Sequence, residues 1–331
     1  LLASPLLYGH PRLAQVRAAR EAAPSTRVGV VQPNVGIFEK HDRRYFRAQM
    51  EVLRRQTREV EAAGADVVIW PETAYPFGFH RDSPRDRVGP YAVLRDGVRG
   101  PVLVGTATYG DGCAVWNSVL ALEADGRISG QSDKVELLYF GERVPLWEVL
   151  PPLQWAFQCP GVYPGEAPEV MTLAGSGIGV LNCYEDVLDH YGRAVAEHSP
   201  DYLVNVTNDA WFGNTSEPHL HHMVARMRSI ETRRDLVRAV NTGVSGHVAA
   251  TGENVVLTGT YEATTFVTTV AELGGAEGLI GRTLYVRIGR TFEWLVLLAL
   301  LGLVAWARVR SRPPRNEPVS PEPQAVPEAE A

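Results

Sequence analysis

Short apolar runs of strand length recur along this chain, and several end directly in polar or ionisable residues. Residues 66–70 lead into Glu72 after one proline, and 177–182 lead directly into Cys183. Segments with the 3.6-residue period of helices lie between such runs. This alternation favours a layered α/β fold with helices covering the sheet faces. Because α/β proteins usually build their sites at strand ends, these junctions are the candidate functional positions.

The alternation is clearest in the first two-thirds of the chain, and strands cluster after it. Apolar runs bounded by turn residues predict strands at 28–32, 66–70, 102–108, 115–122, 177–182, 202–206, 236–240, 246–250, 254–257 and 264–270. Capping residues and helical periodicity predict helices at 42–63, with Asp42 as the cap, at 187–198 and at 217–234. We expect residues 27–275 to form one catalytic domain.

Composition sets limits on the class of protein. The chain has 331 residues, of which 45% are hydrophobic, so it can build a sizeable core. Its net charge is −6 without a basic stripe, so we expect no nucleic-acid partner. Residues 313–331 are rich in Pro, Glu and Ala, which predicts a disordered tail.

Neither a metal nor a cofactor is expected. The three cysteines, Cys113, Cys159 and Cys183, lie far apart without CxxC spacing. This argues against a zinc site or a disulfide framework, although one disulfide is allowed and at least one thiol stays free. His219 and His222 have no further ligand at metal-binding spacing. The sequence has no GxGxxG after a strand and no P-loop, so it gives no support for nucleotide binding.

An apolar stretch from 292 to 307 contains a single charge, Glu293. A helix of that length spans about 24 Å, slightly short of a bilayer core. Trp294 and Trp306 suit the two membrane interfaces, and an arginine cluster begins at Arg308. We therefore predict a transmembrane helix here, with a buried core helix as the alternative.

The first residues also have a membrane-like character. The start Leu1-Leu2-Ala3 is apolar and lacks the charged segment of a signal peptide. We interpret residues 1–26 as the end of a preceding membrane helix followed by a lead-in. On this interpretation the chain is a piece of a longer protein.

Glu72 lies between Pro71 and Pro76, directly after a predicted strand. Prolines on both sides stiffen the backbone and prevent ladder pairing. A carboxylate held in such an apolar setting suits a general base. From this segment alone, a loop glutamate in a structural network is the more frequent case.

Lys134 and Glu142 bracket another apolar stretch. A lysine held beside a reacting carbonyl can stabilise a developing oxyanion. An ordinary surface lysine is the more frequent explanation for this segment taken alone.

Cys183 stands where a buried strand ends and a helix is expected to begin. Backbone N–H groups and the helix dipole at such a position predict a lowered thiol pKa and a nucleophile. An inert core cysteine is equally compatible with the segment. The segment from Asn205 to Gly213, which includes Trp211, is predicted to form a pocket wall, with a purely stabilising turn as the alternative.

Together these segments resemble the nitrilase, or carbon-nitrogen hydrolase, superfamily, which uses Glu, Lys and Cys in this order at strand ends. More narrowly, the chain is similar to the apolipoprotein N-acyltransferases. The segments that carry the narrower resemblance are Val31-Gln32-Pro33-Asn34, Trp70-Pro71-Glu72-Thr73, Lys134, Phe140-Gly141-Glu142-Arg143-Val144-Pro145, Cys183-Tyr184-Glu185, Asn208-Asp209-Ala210-Trp211-Phe212-Gly213 and Arg238-Ala239-Val240-Asn241-Thr242-Gly243-Val244-Ser245.

The resemblance implies an α-β-β-α sandwich and a set of roles. Glu72 would be the general base, Cys183 the nucleophile, and Lys134 the group that stabilises the tetrahedral intermediate. The N–H of Tyr184 would complete the oxyanion hole. Supporting or substrate-binding residues would be Glu142, Tyr184, Glu185 and Trp211. This chain differs from the family pattern at two positions: Tyr139 stands where the family often has Pro, and His41 stands where some members have Trp.

The resemblance also implies a reaction and a location. The family takes an acyl chain from a phospholipid onto the cysteine as a thioester. It then passes the chain to the α-amine of the N-terminal diacylglyceryl-cysteine of an apolipoprotein. We expect a monomer in the bacterial inner membrane, with the catalytic domain on the periplasmic side. The alternatives are a soluble amidase that resolves the thioester with water, and a degenerate domain that acts only as a scaffold.

Overall fold

Two β-sheets with helices on their outer faces form the first of two units, which ends at Arg287, and the second begins at Ile288. The computed structural model describes residues 3–311. The strands are β1 (Ser25–Gln32), β2 (Val67–Ile69), β3 (Tyr75–His80), β4 (Val102–Tyr109), β5 (Val115–Leu122), β6 (Ile128–Asp133), β7 (Val170–Leu173), β8 (Ser176–Asn182), β9 (Tyr202–Thr207), β10 (Leu236–Val240), β11 (Gly246–Val248), β12 (Asn254–Leu257) and β13 (Thr264–Ala271).

Helices fall before, between and after the strands. The α-helices are α1 (Ala3–Ala22), α2 (Ile37–Lys40), α3 (Phe46–Ala62), α4 (Pro151–Ala156), α5 (Asp189–Glu197), α6 (Glu217–Thr232), α7 (Gly278–Gly281), α8 (Leu284–Ile288) and α9 (Thr291–Arg310). Short 3-10 turns lie at Gly89–Tyr91, Cys183–Asp186 and Asp209–Phe212.

The order of strands places parallel strand ends where the polar segments begin. The first sheet runs β13-β1-β2-β4-β5-β6, with β3 beside β4, and the second runs β12-β11-β10-β9-β8-β7. Strands β1, β2 and β4 are mutually parallel neighbours, as are β8, β9 and β10. The carboxyl ends of neighbouring parallel strands lie at one edge of a sheet. The segments after β2, β8 and β9 carry Glu72, Cys183 and Asn208.

The main core lies between the two sheets. Val30 and Ile69 of the first sheet cluster with Val180 and Val204 of the second, and all four are buried. Central parallel strands are apolar on both faces, which is why these runs lack a clean alternation in the sequence. On the outer faces, α3 covers the first sheet, and α5 and α6 cover the second. The predicted α-β-β-α sandwich is confirmed.

Helix α1 packs within the first unit, and the interpretation of residues 1–26 as the end of a membrane helix and a lead-in stays a prediction. Val16 is buried with Leu273, and Arg20 makes two hydrogen bonds of 2.8 Å to the Asp235 carboxylate. Because the Asp235 carboxylate is fully buried, this ion pair adds to the packing that holds α1 against the second sheet.

The second unit contains α9, and its segment Thr291–Arg308 is long and apolar enough to cross a membrane. The mean hydropathy of that segment is 1.6, and none of it is buried in the structure. Twenty residues of helix extend about 30 Å, which matches a bilayer core better than the shorter stretch predicted from 292 to 307. The tail predicted at 313–331 lies outside the described residues.

Several predicted elements need correction. Asp42 does not cap α3, because its carboxylate bonds to Arg44 and the helix begins at Phe46. The helix predicted at 187–198 begins at Asp189, after a separate 3-10 turn. Strands β3, β6 and β7 were not predicted; they are short or rich in Gly, Ser and Pro, so their apolar signal is weak.

The periodicity of α6 predicted a helix correctly, but its apolar residues face outward. Met223, Met227 and Ile230 are all exposed, whereas the buried face carries His221, Arg228 and other polar residues. Those polar side chains find partners in the interior, so the apolar period of α6 marks its exposed face.

The inter-sheet core gives a direct stability prediction. Leu103 on β4 is fully buried, so Leu103→Ala should lower the free energy of unfolding by about 2–5 kcal/mol through lost burial and a cavity. The matched control is Leu220→Ala, at a leucine that is 56% exposed, and it should cost well under 1 kcal/mol. Urea unfolding measures both, and equal losses would contradict this packing.

Candidate active site

Glu72 is held at its position by a close approach between two strands. Its turn passes so near β4 that a Cβ at Gly105 would lie 2.0 Å from the Pro71 carbonyl oxygen and 2.9 Å from the Glu72 Cα. Only glycine fits there without moving the turn. Glu72 itself is buried, so its carboxylate must find partners within the protein.

Those partners are an amide and an ammonium group. Asn117 Nδ2 donates to Glu72 Oε1 at 2.7 Å, and Lys134 Nζ lies 3.9 Å from the same oxygen. Lys134 Nζ also donates to Glu142 Oε1 at 2.8 Å, and the Leu138 main-chain N–H donates to Glu142 Oε2. One buried ammonium group is thus shared by two carboxylates.

The two carboxylates decide the charge of Lys134. Burial by itself favours the neutral amine, but the negative charges of the carboxylates, that of Glu72 first, outweigh it and raise the pKa of Lys134 well above its ordinary value. Lys134 therefore stays cationic at any physiological pH. A fixed buried cation next to an open reaction site suits the stabilisation of a developing oxyanion.

Cys183 directly follows β8 and is the first residue of the 3-10 turn Cys183–Asp186. Its φ is +56°, a left-handed conformation that a residue with a side chain adopts at a cost. Asn205 Nδ2 donates to the carbonyl oxygens of Leu181 at 3.0 Å and Cys183 at 2.9 Å, so β9 holds the turn in place. Strain of this kind concentrates at functional sites, where the surrounding structure fixes it.

The thiol is not activated in the resting structure. Burial and the nearby Glu72 carboxylate raise the pKa of Cys183, and the opposing effects of Lys134 and Thr207 are smaller. The expected lowering by a helix terminus is therefore wrong. Cys183 begins a four-residue 3-10 turn rather than a long helix, so the dipole is small.

Glu185 joins the Cys183 turn to the Lys134 segment. Its carboxylate accepts the main-chain N–H groups of Val135 at 2.7 Å, Glu136 at 3.0 Å and Asn182 at 2.8 Å. Burial raises the pKa of Glu185 to about 7, against the three hydrogen bonds that lower it. Its place is behind the site, where it fixes the spacing between two chain segments.

Tyr184 and Trp211 make different contacts near the site. The Tyr184 ring lies 5.4 Å from Lys134 Nζ, as a cation–π contact. Trp211 is 68% exposed, and its ring lies 6.4 Å from the ring of His41. An exposed indole next to the site is available for contact with a large substrate or a surface.

A cleft of about 520 Å³ opens beside Tyr184 and the segment that follows Lys134. Its lining residues include Leu137, Leu138, Tyr139, Val144 and Val149. Exposed apolar side chains cluster along this segment: Leu138, Tyr139, Phe140, Leu146, Val149, Leu150, Trp155 and Phe157. Apolar exposure on this scale is typical of a surface that meets another apolar partner.

A disulfide between Cys113 and Cys159 connects this apolar segment to the turn between β4 and β5. The one disulfide that the sequence allowed is therefore present, and Cys183 is the free cysteine. The bridge attaches the far end of the segment to the first sheet.

A buried network that the sequence did not reveal supports the other end of the Cys183–Asp186 turn. His221 lies between two acids, with Nε2 2.8 Å from Asp186 Oδ1 and Nδ1 3.1 Å from Asp209 Oδ1, and Arg238 pairs with Asp186. Burial alone would lower the pKa of His221, but the two acids raise it to about 9. The imidazolium therefore links the turn that carries Cys183 to the turn that carries Trp211.

The same network contains side chains of the types that bind metal ions. Asp209, Glu217 and His221 have ligand atoms within 4.8 Å of one another, but both ring nitrogens of His221 are already engaged by carboxylates. The histidine pair singled out in the sequence behaves differently: His222 Nε2 lies 3.0 Å from Asn254 Oδ1, and His219 is exposed.

Comparison with known proteins adds the family to this geometry. The model of the carbon-nitrogen hydrolase family matches residues 27–273. This chain belongs to the carbon-nitrogen hydrolase family. The match spans both sheets and the three strand ends that carry Glu72, Lys134 and Cys183.

Curated relatives confirm the narrower resemblance. An apolipoprotein N-acyltransferase of Geobacter metallireducens is 31% identical over 93% of this chain and 58% of its own length. One of Sinorhizobium medicae is 36% identical over 78% of this chain and 50% of its own length. The chain therefore spans about half the length of the curated relatives it matches.

Solved structures of the carbon-nitrogen hydrolase family share the fold. A mutant amidase of Nesterenkonia AN1 from the nitrilase superfamily matches with a TM-score of 0.57 at 16% identity, over 82% of this chain and 99% of that one. A Saccharomyces cerevisiae member of branch 10 of the superfamily matches with a TM-score of 0.55 at 15% identity, over 75% and 90%. At these identities the likeness concerns the fold alone.

The His221 network predicts a pH dependence of stability. Because folding raises this pKa from 6.5 to about 9, the imidazolium contributes stability that is complete below pH 6.5 and is lost as the pH rises to 9. His221→Gln should therefore lower the free energy of unfolding most at pH 6, with a gap to wild type on the order of 3 kcal/mol that narrows towards pH 9.

Denaturant unfolding at several pH values tests this, with His219→Gln at the neighbouring exposed histidine as the control. The control should leave the free energy of unfolding nearly unchanged. A gap between His221→Gln and wild type that is constant from pH 6 to 9 would contradict a charged bridge.

Proposed function

We propose that this protein is an N-acyltransferase that moves a fatty acyl chain from a phospholipid, through a thioester on Cys183, to the α-amine of an apolipoprotein's N-terminal diacylglyceryl-cysteine. The observation that supports the proposal is the proximity of Glu72, Lys134 and Cys183, next to a cleft that Tyr184 and the segment after Lys134 line with both apolar and charged side chains. The relatives' names supply the direction of the reaction.

In the first half-reaction, Glu72 takes the proton of the Cys183 thiol as the ester approaches. The sulfur attacks the ester carbonyl carbon, and the oxyanion of the tetrahedral intermediate lies against the ammonium of Lys134 and the N–H of Tyr184. Collapse breaks the carbon–oxygen bond, and the leaving lysophospholipid oxygen takes the proton from Glu72. Because the resting thiol is protonated, the base is needed in this step.

In the second half-reaction, the α-amine of the acceptor attacks the thioester carbonyl carbon. Glu72 accepts the amine proton, the same cation stabilises the intermediate, and the carbon–sulfur bond breaks. The proton on Glu72 then returns to the Cys183 sulfur. Two acyl transfers through a thioester replace one direct attack of an amine on an ester, each with a lower barrier.

The apolar surroundings of the site favour a lipid over a small amide as the acyl donor. Phe140 is 88% exposed and Trp155 is 84% exposed, on the same segment that lines the cleft. A small polar amide needs no such surface, whereas an acyl chain gains from contact with it. Trp211 offers a further exposed aromatic surface.

We also propose a location in the bacterial inner membrane, with the catalytic unit on the periplasmic side. Helix α9 fits a membrane span, and the arginines at its end suit the cytoplasmic side. The Cys113–Cys159 disulfide supports the same side, because disulfides persist in the oxidising periplasm and are rare in the reducing cytoplasm.

The decisive experiment measures acyl transfer from phospholipid vesicles to a synthetic diacylated lipopeptide, by mass spectrometry, with the full-length protein. Cys183→Ser, Glu72→Gln and Lys134→Met should each lower the rate at least about a hundredfold, the scale of a lost nucleophile, base or oxyanion donor. The matched control is Ser216→Ala, at an exposed position in the turn before α6, and it should keep the wild-type rate.

Ammonia release from small amides, measured with the same proteins, tests the alternative. Amide hydrolysis without transfer to the lipopeptide would replace the proposal with an amidase. Transfer that persists in Cys183→Ser would remove the proposed nucleophile. If wild type shows neither activity while its fold is intact, a scaffold role replaces both.

A further inference from the structure

Lysine is almost absent from this chain. The 331 residues contain two lysines, Lys40 and Lys134, against thirty arginines. Both lysines are buried, at 6% and 1% exposure, whereas most of the arginines lie at the surface. Arginine thus serves wherever a surface cation is needed, and lysine occurs where a compact buried ammonium is enclosed.

Both lysines meet at Glu72. Lys134 Nζ faces the Glu72 carboxylate, and Lys40 Nζ donates to the Glu72 main-chain carbonyl oxygen at 2.8 Å. Lys40 is the last residue of α2, and that short helix is held by Gln49 Nε2, which donates to the Glu39 carbonyl oxygen at 2.8 Å. The ammonium group of Lys40 therefore contacts the main chain of Glu72, whereas that of Lys134 faces its carboxylate.

A count of buried charges shows why a second cation matters. Glu72 and Glu142 bring two negative charges, and Lys134 supplies one positive charge. Without Lys40 the group would be a net anion, and moving the Cys183 proton to Glu72 would create a thiolate beside the remaining carboxylate. With Lys40 the group is neutral before the transfer and after it. Buried charge without a counter-charge is costly, so this balance lowers the cost of forming the thiolate.

We infer that Lys40 is a positioning residue of the active site, which fixes the main chain of the base Glu72 and supplies the second positive charge that thiolate formation at Cys183 requires. This inference rests on the proposed roles of Glu72 and Cys183. Its predicted effect falls on the chemical step rather than on substrate binding, because the ammonium group bonds to the main chain of the base.

The surroundings of Lys40 also set a pH window. The Glu72 carboxylate favours the charged form of Lys40, and Cys183 does so when it is a thiolate; His41 is the next residue in the chain. Burial outweighs both and lowers the pKa of Lys40 to about 8. Loss of this charge above pH 8 should therefore slow thiolate formation on the alkaline side.

The scarcity of lysine makes a direct measurement practical. Protein made with lysine labelled by carbon-13 at the ε position should give two NMR signals from the 331-residue chain, assigned with Lys134→Arg. The Lys40 signal should titrate near pH 8, and Glu72→Gln should move its titration to lower pH, because the favourable carboxylate is gone. A Lys40 titration that Glu72→Gln leaves unchanged would overturn the inference, without any substitution at Lys40.

Alkylation of Cys183 by iodoacetamide measures thiolate formation without substrate, since Cys113 and Cys159 are in the disulfide. Lys40→Met and Lys40→Gln should both slow alkylation about tenfold at pH 7.5, and Lys40→Arg should restore most of the rate. In acyl transfer, Lys40→Met should lower kcat about tenfold with KM within twofold. Thermal unfolding checks that the variants are folded.

The outcomes separate this inference from the proposed function. If Lys40→Gln alkylates at the wild-type rate while Lys40→Arg is as slow as Lys40→Met, a hydrogen bond from a neutral donor is sufficient. That result would overturn the role of the charge. Wild-type rates in all three variants would overturn the whole inference and leave the proposed function standing. If Glu72→Gln does not slow alkylation of Cys183 either, the proposed base itself fails.

Discussion

The buried ammonium of Lys134, shared between the Glu72 and Glu142 carboxylates, is the interaction on which the rest of the site depends. An unpaired charge at that depth would cost several kcal/mol, so the three groups hold one another in place. The fold brings these groups together, because Glu72 follows β2, Asn117 lies on β5 and Lys134 follows β6. Cys183 lies at the end of a strand of the second sheet, on a strained turn, and burial together with Glu72 favours its protonated form.

Much of the fold followed from the sequence, because buried parallel strands leave long apolar runs and helices between them leave a 3.6-residue period. Weakly apolar strands such as β3 and β6 gave no such signal. For the site, strand-end position and chain order indicated Glu72, Lys134 and Cys183. Asn117, Asp186 and His221 act through contacts between residues far apart in the chain, which periodicity cannot reveal; a polar residue inside an apolar strand was the one available sign of Asn117. The lowered pKa predicted for the Cys183 thiol was wrong for the same reason, because the burial and the Glu72 carboxylate that raise it are tertiary effects.

The apolar segment after Lys134 links the chemistry to a lipid environment. It lines the cleft and exposes aromatic side chains, and the disulfide attaches its end to the first sheet. A thioester beside bulk water is open to hydrolysis, so cover by lipid or acceptor favours transfer to an amine. In the proposed reaction, the same segment would favour a lipid donor and transfer to an amine over hydrolysis.

The central claim is that Cys183 carries the acyl group. The direct test is intact-mass analysis of the protein after incubation with phospholipid vesicles of one defined acyl chain, without acceptor. The account predicts a mass increase of one acyl group on Cys183, which hydroxylamine removes and Cys183→Ser abolishes. An adduct on another residue, or transfer to lipopeptide with no adduct on Cys183 even under rapid quenching, would contradict it.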